Sequence, residues 1–297
     1  MIVRLDKSCF ALLAVTLLGG SVVSCQQQRQ VYQVNGVVEQ IIPERKKVRI
    51  AHETIPSYME AMTMEFDVKS TNELAGLQAG DIVTFRMIVT ADDGWIEGLK
   101  KVGTAPLRTN VAPATTRIVK DVEELKVGDL LPEYVFTNQF GRVIRTSDFR
   151  GQALAFTFIF TRCPFPVYCP RMSTNFSQVQ AQLKALPRGP TNWHLLTLSF
   201  DPAHDTPEVL RSYAERYGYD PEHWTFASGD LTEITALGDH FGLLFWWSNP
   251  ANRADISHNV RTVIVDTRGR VQKIYPDNEW KVDEVVADMV KAAQIER

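Results

Sequence analysis

Between residues 31 and 102 the chain alternates apolar and polar side chains in short runs, at 31–40, 48–52, 63–68, 82–89 and 95–102. That period of two is the signature of half-buried strands. Turn chemistry separates the runs at Pro43, Pro56, Ala79-Gly80-Asp81 and Asp92-Asp93-Gly94. Five short strands at this spacing predict a small all-β barrel of the OB-like kind. The next stretch, 104–120, carries Pro106, Pro113 and several threonines without periodicity, and reads as a linker.

From residue 121 the pattern changes. LAFTFIF at 154–160 is continuously apolar, as are 195–200 and 260–265, which fits strands covered on both faces. Phe176, Val179, Leu183 and Leu186 recur at helical spacing between the first two. A second helix has Thr206 as N-cap, Pro207 in its first turn and Gly218 past its end. A third is expected near 231–241, and an amphipathic helix closes the chain from about residue 282. Strands alternating with helices predict an α/β domain over 121–297, behind a barrel domain over 26–103.

Composition and ends narrow the class. Hydrophobic residues at 44% and charged residues at 23% fit a packed globular chain, and a net charge of −3 supplies no basic field for nucleic acid. Arg45-Lys46-Lys47 reads as a solvated hairpin turn. At the N-terminus Arg4 and Lys7 precede an apolar run at 10–18, too short to span a bilayer and suited to a secretory signal. Val22-Val23-Ser24-Cys25 resembles the lipobox of bacterial lipoproteins, which implies a signal over 1–25, lipidation at Cys25 and a membrane anchor on the periplasmic side of a bacterial envelope. Cys9 would leave with the signal, so Cys163 and Cys169 stay as a lone pair in an exported protein.

That pair could be a redox couple, a metal clamp or a structural disulfide. Cys163 follows the apolar strand, and Cys169 precedes Pro170 at the start of a helix, where the local partial charge favours thiolate. Five residues between them would set the two about 240° apart on a continuous helix, so they meet only because Pro164 and Pro166 break it. His258 lies just before the apolar run at 260–265, and open α/β sheets gather such strand-end loops at one edge. Two thiolates and an imidazole suit Cu(I) and accept Cu(II).

Residues 121–295 resemble the Sco/SenC family of thioredoxin-like copper proteins, which assist assembly of the copper centre of cytochrome c oxidase. LAFTFIF leading to Thr161-Arg162-Cys163-Pro164, then Cys169-Pro170, LLTLSFDPAHDTPEVLRSYAERYG at 195–218 and SHNVRTVIVDTRG at 257–269 carry the likeness. The resemblance implies a thioredoxin-like fold with Cys163, Cys169 and His258 as copper ligands. The family's usual pair has three intervening residues, whereas this chain has five. Asp201 is expected to shape its turn and Asp205 to support the Thr206 helix. His194, His204, His223 and His240 read as surface or helix residues, and Trp246-Trp247 as packing.

In the first domain, Met62 and Met64 fall on one face of a strand with Phe66 and Val68, the alternation that a barrel interior requires. Thioethers are also soft Cu(I) ligands, and His52 ends the preceding strand. Residues 31–103 resemble the periplasmic CusF-like copper- and silver-binding domain, which implies His52, Met62 and Met64 as metal ligands. Met59 stands where that family has its tryptophan lid and is a candidate third thioether, with Tyr58 a partial substitute for the aromatic cover.

Together these features predict an envelope copper chaperone that delivers copper to a cuproprotein such as an oxidase subunit, after a thiol reductant has opened the cysteine pair. The alternative is a thiol–disulfide oxidoreductase using Cys163 and Cys169. General thioredoxin-like oxidoreductases carry a proline before the strand facing the cysteines, and Ser257-His258-Asn259 has none.

Overall fold

A computed structural model describes residues 29–59, 61–91, 93–105, 122–247 and 256–295. Cys25 and most of the expected linker lie outside the described residues.

The first sheet contains β1 (Gln30–Ile42), β2 (Lys47–His52), β3 (Met62–Asp67), β4 (Asp81–Val89) and β5 (Gly94–Thr104), in the order β3-β2-β1-β4-β5. A parallel bridge from Val68 to Ile96 brings the end of β3 back to β5, which rolls the sheet into an OB-like barrel. Val34, Val38, Val48, Ile50, Phe66 and Phe85 fill its interior. Gly36 lets β1 lie close on β2, because a Cβ there would stand 2.4 Å from the Ile50 side chain and 2.8 Å from the Ala51 carbonyl.

The second module is thioredoxin-like. It is built from β6 (Val135–Asn138), β7 (Val143–Arg145), β8 (Ala153–Ile159), α1 (Cys169–Ala185), β9 (Trp193–Ser199), α2 (Pro207–Arg216), β10 (Trp224–Ser228), α3 (Leu231–Asp239), β11 (Phe245–Trp247), β12 (Ile256–His258), β13 (Thr262–Val265), β14 (Val271–Tyr275) and α4 (Val282–Ala293). Its seven-stranded sheet runs β14-β13-β8-β9-β10-β6-β7, with β8, β9 and β10 parallel and β13 antiparallel to β8. Every residue of β8, β9 and β10 is buried, as strands with helices on both faces must be. Thr206 caps α2 by accepting from the Val209 amide, and Gly218 leaves the helix with φ +62°. No helix among the described residues is long and apolar enough to cross a membrane.

Two expectations change here. The third strand of the 260–265 run begins only at Thr262, and His258 ends a short strand of its own, paired with Phe245, instead of lying in a loop. The basic cluster is not a solvated turn. Arg45 pairs with Asp277 and Glu279 at 3.2 Å each, and the buried Lys47 reaches Glu279 at 3.1 Å, so the turn docks on the second module. A buried ammonium keeps its charge only with such partners.

Candidate metal centre

The chain leaves β8 at Ile159 and turns through Thr161 to Cys163; α1 then begins at Cys169, with Pro170 in its first turn. The crossover to β9 and α2 returns Asp205 beneath this corner. Its carboxylate accepts from the Thr161 amide at 3.0 Å and from the hydroxyls of Thr161 and Ser199. Asp205 therefore points back to the strand end before Cys163, and the helix entry belongs to Thr206 instead. Burial raises the Asp205 pKa, although the hydrogen bonds from Ser199 and Thr161 oppose it. Asp201 does shape its turn, accepting from the His204 and Asp205 amides, and its carboxylate also pairs with Arg162 at 2.5 Å. The turn role of Asp201 is legible in the local sequence, whereas its pairing with Arg162 and the bonds from Asp205 to Thr161 join segments about 40 residues apart.

At this corner the Sγ atoms of Cys163 and Cys169 and a ring nitrogen of His258 all lie within 4.8 Å of one another, and both cysteines are unbridged. His258 donates from Nδ1 to the Asn259 carbonyl at 2.8 Å, which turns Nε2 toward Cys169 Sγ at 3.7 Å. Phe160, Phe200 and Tyr168 surround the imidazole at centroid distances of 5.5, 5.1 and 5.7 Å. Such a wall shields soft donors and fixes the ring that presents Nε2.

The thiols are unequal. Burial pushes Cys163 up, but hydrogen bonds from Cys169 and His258 and the charge of His258 outweigh it and hold Cys163 well below an ordinary thiol. Burial and then the adjacent Cys163 push Cys169 well up. The helix start was expected to make Cys169 the thiolate. Burial raises both thiols, and the order reverses because Cys169 and His258 stabilise the Cys163 thiolate, whose charge then raises Cys169 further.

The other second-module histidines do not join this set. His194 is buried on β9 and bonded through Nε2 to Thr225 Oγ1 at 2.8 Å, which corrects its reading as a surface or helix residue. His240 is buried against Tyr134, and His223 stacks on Trp193.

In the barrel, His52 stands directly across from Met62, and Ile50 across from Met64. His52 is 3% exposed; its Nδ1 donates to the Glu53 carbonyl at 2.8 Å, and its buried Nε2 has no hydrogen-bond partner. An orphaned buried nitrogen is costly unless it serves a ligand, and beside thioethers it fits a soft cation. Burial lowers the His52 pKa, which keeps that nitrogen unprotonated. Met59 packs into the barrel core, while the Tyr58 ring is committed to Tyr32 at 4.6 Å and its hydroxyl to the Pro164 carbonyl.

The two candidate sites share a border. Ser257 donates to the Thr63 carbonyl of β3 at 3.3 Å, and Met64 and His258 line one cleft of about 380 Å³ between the modules.

Comparison with known proteins agrees with both halves. Residues 31–101 match the family model of the copper binding periplasmic protein CusF. The SCO1 protein homolog of Bacillus subtilis (strain 168) is 26% identical over 167 residues, 54% of this chain and 82% of that protein. A SCO2-like protein of Rickettsia prowazekii is 26% identical over 156 residues, 51% of this chain and 70% of that protein. Among solved structures, a SCO1/SenC family lipoprotein from Bacillus anthracis str. Ames shows 25% identity and a TM-score of 0.49, covering 58% of this chain and 99% of that one. The SCO1/SenC family model itself matches residues 122–294, more than half of the 297 residues, and the chain belongs to the SCO1/SenC family.

Proposed function

We propose that the protein is a cell-envelope copper chaperone. The barrel captures Cu(I) at His52, Met62 and Met64, and the second module holds copper at Cys163, Cys169 and His258 for delivery to a cuproprotein. The observation that carries this reading is the convergence of two thiols and one imidazole within 4.8 Å, from segments 89 residues apart. A soft, three-donor set of this kind favours Cu(I) and accepts Cu(II).

The chain's own groups prepare that site. Thr161, held by Asp205, fixes the approach to Cys163, and the Asn259 carbonyl keeps the His258 proton on Nδ1 so that Nε2 offers its lone pair. Cys169 must lose its proton to bind, and because His258 Nε2 faces the same site as a ligand, that proton leaves to solvent. Copper leaves as the acceptor's soft ligands replace the thiolates one at a time. The family suggests an oxidase subunit as acceptor. The secretory pattern at the N-terminus and Cys25 support a lipid anchor on the periplasmic side, with a thiol reductant keeping the pair open.

A second reading is supported by the unequal thiols. In a thiol–disulfide oxidoreductase, the Cys163 thiolate attacks a partner disulfide and forms a mixed disulfide, expelling one partner thiolate. Cys169 then attacks Cys163, which releases the second partner thiolate and leaves the chain oxidised; a dithiol donor restores it.

Anaerobic Cu(I) titration of the reduced protein separates the two, beside His258→Ala and Met62→Ala. The chaperone predicts two independent sites, with one lost in each variant. Unchanged stoichiometry in His258→Ala together with rapid disulfide reduction overturns it in favour of the oxidoreductase.

A further inference from the structure

The residues between Cys163 and Cys169 do not lie over the surface of their own module; they enter the barrel. Phe165 is 2% exposed and Val167 1%, and both belong to the barrel's buried cluster. The Phe165 ring meets Phe66 of β3 edge-on at 6.1 Å between centroids, and Phe66 meets His52 at 5.6 Å. The loop backbone is held from both modules. The Tyr58 hydroxyl donates to the Pro164 carbonyl at 3.0 Å, and the Asn278 amide donates to the Val167 carbonyl at 2.5 Å. Tyr168, next to Cys169, donates its hydroxyl to the Glu65 carbonyl of β3 at 2.7 Å.

A short loop carrying two ligands loses conformational freedom when it closes on an ion, and a loop already fixed at folding does not. We infer that the barrel is a working part of the cysteine site, with Phe165 as the positioning residue through which it sets the spacing of the two thiols. The seat behind Phe165 is Gly94, the first residue of β5. A Cβ at Gly94 would stand 2.9 Å from Phe165 Cζ and 3.0 Å from Cε2. Gly94→Ala therefore pushes on the plug from the far module, without altering either cysteine, His258 or the loop itself.

This inference rests on the copper reading of Cys163 and Cys169 for its affinity arm, whereas the reduction potential of the pair tests it without metal. In the full-length protein, Phe165→Ala and Gly94→Ala should each weaken Cu(I) binding at the cysteine site at least tenfold by competition with a Cu(I) chelator. Both should shift the dithiol–disulfide potential to more negative values by a tenfold change in equilibrium constant, about 30 mV for a two-electron couple. The sign follows because the seat holds the thiols as an open pair, and releasing it favours closure to the disulfide. Phe165→Leu refills the seat and should recover most of both losses. Tyr58→Phe removes only the bond to Pro164 and should move the potential in the same direction by less. A potential within twofold of the parent's equilibrium constant in both Gly94→Ala and Tyr58→Phe overturns the inference, even where Phe165→Ala is too unstable to measure. A parent protein that binds no Cu(I) at its cysteines overturns the proposed function instead, and the potentials still decide this point.

Discussion

Cys169 Sγ lies 3.7 Å from His258 Nε2, although 89 residues separate them along the chain. The contact exists because α1 starts where β8 ends and because the β11–β12 ribbon delivers His258 to the same corner. It joins a thiol whose pKa is raised by burial and then by the adjacent Cys163 to the imidazole nitrogen that completes the three-donor set.

Copper affinity should therefore fall on acidification. A raised thiol pKa means that binding displaces a proton at neutral pH, so each displaced proton weakens affinity by about tenfold per pH unit below that pKa. Competition titrations with a Cu(I) chelator between about pH 8 and 6 should give that slope, and Cys169→Ser should flatten it.

Alkylation should distinguish the two sulfurs. Cys163 is partly exposed and held below an ordinary thiol, whereas Cys169 is 1% exposed and raised. Limiting iodoacetamide on the reduced apo protein at neutral pH should label Cys163 at least about tenfold faster, as read by peptide mass analysis. Equal labelling would mean that burial does not separate the pair.

Asp205→Asn should destabilise the second module by about 1–3 kcal/mol. An amide cannot accept at once from the Thr161 amide and hydroxyl and the Ser199 hydroxyl, so one buried donor loses its partner. Chemical denaturation should show a lower midpoint. Because Thr161 leads into Cys163, the variant should also bind Cu(I) more weakly.

His194 should make the fold acid-sensitive. Burial, and then the neighbouring His223, hold its pKa down to about 4 against an ordinary 6.5. Above pH 6.5 the ring is neutral folded or unfolded, and it costs nothing. Between 6.5 and about 4 only the unfolded chain takes up the proton, so stability drops by as much as about 3 kcal/mol and then levels off. His194→Gln should remove that part of the acid slope in denaturation curves measured across this range.

Much of the architecture is legible in the sequence. Period-two runs placed β1 to β5 within two residues of their observed ends, and apolar runs marked β8 and β9, because in each case local burial dictates the pattern. Capping did the same for α2, where Thr206 and Gly218 act within their own turns. Residues whose surroundings come from elsewhere in the chain are not legible locally. His194 looks like a polar surface residue until Thr225 and Phe149 close over it. Lys47 looks solvated until Glu279 arrives from the other module.

The sequence by itself determined the five barrel strands, an α/β module behind them with its apolar central strands and its helices, and the soft donors available to a metal. Each of these follows from side-chain type and spacing along a local stretch. Only the tertiary structure decided that Cys163 is the more acidic thiol, since that order depends on how much water each sulfur keeps and on which groups face it. Only the tertiary structure turned Asp205 toward Thr161 and seated Phe165 in the barrel, because both contacts join segments that no local pattern relates. The wide loop between the cysteines reads as a departure in one dimension and as a joint between modules in three.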